Sequence, residues 1–226
     1  MISLENVTKE YNLDEQVITP VRNVNLNIEK GKFVIIYGRS GTGKSTLLNL
    51  AAGLIKPTAG RVKLGEEYID QMNDKEISRL RSRKIGYIFQ FPSLLSSLSV
   101  IENVLVPAMF KKEKQGDTLQ IRALEVLGRL GLKGRENFYP RHLSAGEQKR
   151  AVIARALMNM PPVLIADEPT SDLDENTEKE IMQYLRQIHL SGMTVLMVTH
   201  SLQLIPFADR AYSMENGNLT RVSINV

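Results

Sequence analysis

The segment FVIIYGRSGTGKSTLLNLAAGL, residues 33–54, limits the possible folds of this chain more than any other stretch. Its first five residues are an apolar run bounded by Gly31 and Gly38, which reads as a buried strand. Its last ten read as a helix. Between them, Gly38, Arg39, Ser40, Gly41, Thr42, Gly43, Lys44 and Ser45, followed by Thr46, fit the pattern G-x-x-x-x-G-K-[ST] in the strand-loop-helix context that gives the pattern meaning. Glycines at these places let successive backbone N–H groups curl around phosphate oxygens at the positive end of the following helix. Lys44 then neutralises the β- and γ-phosphates of a nucleotide, and the Ser45 hydroxyl is placed for Mg²⁺.

Further short apolar runs occur at 85–89, 163–166 and 194–198, several beside helix-like segments. That alternation predicts an α/β fold with a mostly parallel sheet and helices on both faces. VRNVNLNI, 21–28, alternates apolar and polar residues and predicts a half-exposed strand paired antiparallel with 2–6. Near the C-terminus, AYSMENGNLTRVSI carries Asn-Gly between two strand-like runs, a hairpin signal. Between Ser99 and Met158 three helical patterns follow one another without a strand. They predict an inserted helical lobe over 91–160 within one nucleotide-binding unit whose core is 1–90 and 161–226.

VLIADEPT, 163–170, ends an apolar strand on Asp167, placing a carboxylate at the carboxyl edge of the sheet, beside Ser45 and the expected Mg²⁺. Glu168 follows directly. Neighbouring side chains of a strand point to opposite faces, but at its end the chain can turn so that Glu168 faces the γ-phosphate and polarises a water. The alternative is an acidic strand end in a turn with Pro169.

Composition bounds the rest. A formal charge of +4 and a pI near 9.2 come with Lys and Arg interleaved among acids, which describes a solvated surface rather than a nucleic-acid face, so no nucleic-acid partner is expected. The absence of cysteine excludes disulfides, thiolate metal sites and cysteine nucleophiles. Of the three histidines, His142 and His189 are expected at the surface. MISLENVTKEY lacks a charged segment followed by an apolar one, and no apolar run approaches the roughly 18 residues of a spanning helix. A cytosolic chain that reaches a membrane through a partner is the expectation.

Six motifs then occur together: GRSGTGKST; Gln90 after the strand IGYIF; LSAGEQ at 143–148; VLIADEP; SDLD at 171–174; and His200 after TVLMVT. In order and spacing, over essentially the whole chain, they resemble the nucleotide-binding subunits of ABC transporters, which have a RecA-like P-loop NTPase core. Three further features resemble the lipoprotein-release and macrolide-export subgroup (LolD-like, MacB-like): the insertion NLDEQVITPVRNVNL after Tyr11, the segment IGYIFQFPSLLSSLSVIENVLVP, and GEQ in the signature.

The resemblance implies a Mg²⁺-dependent ATPase acting as a head-to-tail homodimer. Each ATP lies between the phosphate loop of one copy and Ser144, Gly146 and Glu147 of the other. It further implies that Gln90 senses Mg²⁺ and the attacking water, that His200 contacts the γ-phosphate and positions Glu168's water, that Asp172 to Asp174 cross the dimer interface, and that Tyr11 stacks on adenine. A membrane permease is expected to dock at the stretch from Phe91 to Leu98, with most of 100–106 filling the lobe, and to hold the ATPase at the cytoplasmic face of the membrane. An exporter or extraction complex is the first expectation; an importer subunit or a mechanotransmitter acting on a cell-wall enzyme are the alternatives.

Read directly, Ser144 and Glu147 form a Ser-x-x-Glu capping box that starts a helix. Ala145 stands where the family pattern has glycine. If the backbone at 145 is left-handed the alanine is strained; if it is helical the alanine stabilises the helix start.

Overall fold

The computed structural model describes residues 1–14, 16–91, 93–110 and 116–224. The chain opens with an antiparallel pair, β1 (Ile2–Leu13) and β2 (Gln16–Ile28), in which Ile2 faces Ile28 and Leu4 faces Leu26. Next come β3 (Phe33–Tyr37), α1 (Lys44–Ala51), β4 (Ala59–Leu64), β5 (Glu67–Tyr68), α2 (Asp74–Lys84) and β6 (Ile85–Ile88). Three helices follow in succession, α3 (Val100–Met109), α4 (Gly116–Arg129) and α5 (Ala145–Leu157). The chain then runs through β7 (Val163–Asp167), α6 (Glu175–Leu190), β8 (Thr194–Thr199), β9 (Arg210–Glu215) and β10 (Asn218–Val222).

Among the described residues ten strands form two sheets, one in the order β2-β1-β4-β5 and one in the order β10-β9-β3-β8-β7-β6. All pairs of the second sheet are parallel except β9–β10. As expected, it is mostly parallel, and the antiparallel strands of the N-terminus form the separate first sheet. Successive side chains of a strand point to opposite faces, so β3 divides its apolar residues between two cores. Phe33 and Ile35 pack with α3, α4, α5 and α6, while Val34 and Ile36 pack with α1, α2 and the inner face of β1, β2 and β4. Both faces of the parallel sheet are thereby covered, which explains the near-continuous apolar runs in its strands.

The alternation of β2 is interrupted. Val21, Val24, Leu26 and Ile28 are all buried, a spacing of three and then two, because the β1–β2 register shifts between Val7 and Lys9. Asn6 and Asn23 take φ of 50° and 44°, and side chains across the strands satisfy the bulges: Asn25 Oδ1 accepts from the Asn6 N–H at 2.9 Å and Thr8 Oγ1 from the Asn23 N–H at 3.0 Å. Asparagine tolerates left-handed backbone better than most residues, and the extra residue of each bulge re-phases the strand. At the other end of the chain, Asn216 and Gly217, with φ of 49° and 80°, form the predicted hairpin turn between β9 and β10.

His142 is exposed, as expected, but His189 is buried. It lies on the apolar stripe Ile181, Leu185, His189 of α6, whose four-residue spacing turns it inward. Its Nε2 is 3.2 Å from Asp209 Oδ2, an oxygen that also accepts from the Phe33 N–H at 2.9 Å.

Ile35 sits in the most central of these strands and is fully buried. Replacing it with alanine should lower unfolding free energy by about 2–5 kcal/mol, the usual cost of an unrefilled core cavity. Urea unfolding should show the loss as a lower midpoint at unchanged m-value.

Candidate functional site

The loop leaving β3 starts where the sheet ladder ends, with the Gly38 N–H donating to Thr199 O at 3.2 Å. Gly43, at φ 101°, lies so close to β2 that an added Cβ would sit 1.9 Å from Pro20 O; no other residue fits there. Gly41, at φ 80°, has open space around it among the described residues, so there the requirement is the backbone conformation. Lys44 is almost fully buried, and its ammonium donates to the carbonyls of Gly38 and Arg39 at 2.8 and 2.9 Å. The loop is therefore curled around its own lysine.

Ser45 Oγ donates to Asp167 Oδ1 at 3.2 Å, joining the start of α1 to the end of β7. Burial pushes the Asp167 carboxyl above the usual range, and the neighbouring Glu168 charge acts in the same direction. A divalent cation would reverse that by supplying the missing positive charge. Among the described residues no group of three or more His, Cys, Asp or Glu side chains converges on a metal position. A serine hydroxyl with one carboxylate is nonetheless the oxygen set that suits Mg²⁺, which takes the rest of its octahedron from phosphates and water.

Glu168 shows how the chain turns at the strand end. Its φ is 45°, a left-handed conformation that costs a non-glycine residue about 1–3 kcal/mol and needs support from its surroundings. Support comes from Val198 O, which accepts the Glu168 N–H at 3.1 Å, and from Ser171, whose N–H and hydroxyl both donate to Glu168 O at 3.2 and 3.1 Å. The turned side chain reaches His200 Nδ1 with one carboxylate oxygen at 2.5 Å and Lys44 Nζ with the other at 3.7 Å. Three elements thus bring a base, an imidazole and an ammonium together.

Glu168 and His200 border a cleft of about 1030 Å³, whose wall also includes Gly38, Arg39, Ser40, Thr42, Gln90 and Asp172. Tyr11 is not part of its wall. It lies half-exposed on β1 opposite Ile18, with Lys9 Nζ 5.1 Å from its ring centroid, on the hairpin whose second strand carries Pro20 against Gly43.

Ser144, Gly146 and Glu147 are also outside the cleft wall. They start α5 as the sequence predicts: the Glu147 N–H donates to Ser144 Oγ at 3.2 Å and the Ser144 N–H to Glu147 Oε2 at 2.8 Å. That second bond is the main reason the Glu147 carboxyl lies below the usual range. Ala145 is the first residue of the helix and does not have positive φ, so its methyl group is unstrained. Gly146 faces the first turn of α6, where an added Cβ would meet Thr177 Cγ2 at 3.0 Å.

One charged residue at this site was not singled out from sequence. Lys149 of α5 is buried, and its ammonium donates to the carbonyl of Gln90 and, at 3.5 Å, to that of Glu168. Burial pulls its pKa down, while Asp172, Glu168 and Asp167 oppose that shift. A signal did exist: Lys149 falls on the same helical stripe as Val152 and Ile153, where a solvent-exposed lysine is not expected.

A family model described as ABC transporter matches residues 21–171. The chain is 43% identical over 225 residues to the ABC transporter ATP-binding protein MJ0796 of Methanocaldococcus jannaschii, covering 98% of this chain and 96% of that one. It is 39% identical over 219 residues to the macrolide export ATP-binding/permease protein MacB of Mannheimia succiniciproducens, 97% of this chain but 34% of that protein, about a third of its length. Among solved structures, a dimeric post-hydrolysis state of the ATP-binding cassette MJ0796 bound to ADP and Pi superposes with a TM-score of 0.94 at 39% identity, covering 100% of both chains.

The helix start at Ser144 can be tested without nucleotide. Ser144→Ala should cost about 1 kcal/mol of thermal or urea stability by removing the cap. Ala145→Gly should destabilise by up to about 1 kcal/mol, because the position is already helical. A stabilised Ala145→Gly variant would show instead that the native backbone there is left-handed.

Proposed function

The chain belongs to the ABC transporter family, and on that premise we propose that it energises a membrane exporter or extraction complex as a head-to-tail dimer with ATP held between its two copies. It is an ATPase. The observation that carries the mechanism is the Glu168 carboxylate, held by His200 Nδ1 at 2.5 Å on one oxygen and facing Lys44 at 3.7 Å with the other.

In this reading Glu168 orients a water against the γ-phosphorus of bound ATP and takes up its proton as the P–O bond to the β-phosphate breaks, releasing ADP and phosphate. His200 keeps the carboxylate aimed. Lys44 exchanges the carbonyls of Gly38 and Arg39 for phosphate oxygens, and the loop N–H groups cradle the rest of the triphosphate. Ser45 and Asp167, together with Gln90, would hold Mg²⁺, which would supply positive charge for the phosphate oxygens. Tyr11, on the hairpin that packs against Gly43, is assigned to stacking on adenine.

The signature residues do not line this cleft, which suits a role at a second copy's nucleotide. A helix start leaves backbone N–H groups without intrahelical partners and carries positive potential, so the start of α5 can close over a γ-phosphate. Since Ser144 Oγ is engaged with the Glu147 N–H, closure requires the hydroxyl to change partners. Asp172, at φ 64° beside the cleft, and the loop to Asp174 are the segment we assign to the interface.

No helix among the described residues is long and apolar enough to cross a membrane, so the spanning element is assigned to a separate segment or subunit. A groove of about 650 Å³ between α2, β6, α3 and α5 is lined by Leu54, Tyr87, Phe89 and Phe110 with Arg79 and Arg155. Phe89, Leu54 and Phe110 are all exposed large apolar residues, which suits helix-in-groove docking of a permease segment. Of the stretch 91–98, Ser93 lines this groove; Phe91 and Leu95 are exposed, and Pro92 lies outside the described residues. The likeness to the macrolide export protein supports export as the direction.

Glu168→Gln should bind ATP with near-parental affinity, lose at least about a hundredfold in steady-state turnover, and elute as an ATP-dependent dimer on size exclusion. Unchanged turnover would refute the assignment. Phe89→Asp with Leu54→Asp should abolish co-purification with the membrane subunit while nucleotide affinity stays unchanged.

A further inference from the structure

Lys149 joins parts of the site that come from distant stretches of sequence. It stands on α5, five residues after Ser144, so its backbone lies about one and a half helical turns from the helix start. Its side chain crosses into the parallel sheet and ends between two carbonyls: that of Gln90, just after β6, and that of Glu168, just after β7. Both lie just past the ends of strands that pair with each other, Ile88 opposite Ala166. The charge also faces Asp172, in the loop after β7.

The Glu168 carbonyl is where this contact matters most. Glu168 is held in a left-handed conformation, and its carbonyl accepts from the Ser171 N–H, the Ser171 hydroxyl and Lys149. The Ser171 contacts are local to the turn. Lys149 alone among these three donors arrives from another element, and it fixes the turned peptide relative to α5. A lysine this deeply buried is costly unless its ammonium is paired and hydrogen-bonded. Here the pairing is with the backbone that aims the carboxylate, rather than with a carboxylate of its own.

We propose that Lys149 is a positioning residue for hydrolysis, which ties the start of α5 to the backbone of Glu168 and Gln90 so that they move as one body. In a head-to-tail dimer the start of α5 serves the partner's nucleotide, whereas Glu168 and Gln90 serve this chain's own. Lys149 therefore links the two nucleotide sites of the dimer: closing α5 on one ATP also sets the carboxylate over the other. The inference rests on the assignment of Glu168 as the residue that orients water.

The test uses the full chain, with three variants and Glu168→Gln as the control. Lys149→Met removes charge and donors, Lys149→Gln keeps a donor without charge, and Lys149→Arg keeps both. ATP affinity is read with a fluorescent ATP analogue, and turnover is read against ATP concentration. Lys149→Met should lower kcat at least tenfold with nucleotide affinity within threefold of the parent, and should bring the Hill coefficient for ATP toward 1; Lys149→Arg should stay within threefold in kcat.

A role confined to holding the fold would lower melting temperature and the fraction of active sites, leaving kcat per active site and the Hill coefficient in place. That result overturns the proposal, as does a Lys149→Met kcat within twofold of the parent. If Lys149→Met fails to fold, Lys149→Gln against Lys149→Arg decides: a tenfold gap supports the positioning role and equal rates overturn it. Retained turnover in Glu168→Gln would instead overturn the Glu168 assignment, and the inference with it, whatever the lysine variants do.

Discussion

Burial of the parallel strands on both faces determines where this molecule can carry chemistry. Every residue of β7 and β8 is buried, and an unpaired charge within such a strand would cost several kcal/mol. Ionisable groups can appear only where the strand ends and the chain leaves the sheet. Parallel register makes those ends coincide: Tyr37 lies opposite Thr199 and Asp167 opposite Val198. The residues that follow, Gly38, Glu168 and His200, therefore emerge at one level along one edge, although they are far apart in sequence. The cleft follows from that alignment.

The second sheet has its own part in this. Its strand β2 presses the Pro20 carbonyl against Gly43, while the Arg22 N–H donates to Gly217 O at 2.8 Å, binding the same strand to the β9–β10 turn. The phosphate loop is held from the sheet it leaves and from the sheet that lies over it. Its shape is thus set by packing before a ligand arrives, which spares the nucleotide much of the entropy of ordering it.

Local patterns were legible where one period or one motif governs the outcome. The strand before Gly38, the Asn-Gly turn and the capping box at Ser144 each follow from a few adjacent residues, and each is present. What escaped the sequence depended on distant partners. Val21 and Val24 both face inward because bulges re-phase β2, an effect of asparagines whose role appears only when β1 lies alongside. His189 looked like a surface residue until α6 was laid on the sheet, where the stripe through Ile181 and Leu185 carries it under Asp209. Lys149 is the same kind of case: its charge suggested solvent, whereas its place on the stripe with Val152 decided its burial. The six-motif resemblance singled out Gln90, Glu168 and His200, which line the cleft, but said nothing of the lysine that ties two of them to α5.

The Lys44 ammonium has a further consequence through the two carbonyls it already holds. A lysine pointing into water would surrender its hydration to bind phosphate; this one surrenders bonds to its own loop instead. On the proposed function, binding would be a ligand exchange within a desolvated shell, its free energy set by the difference between a carbonyl dipole and a full negative charge. Such an exchange would favour polyanions over neutral or singly charged competitors, so that the loop would discriminate by charge density before any contact to base or ribose is made.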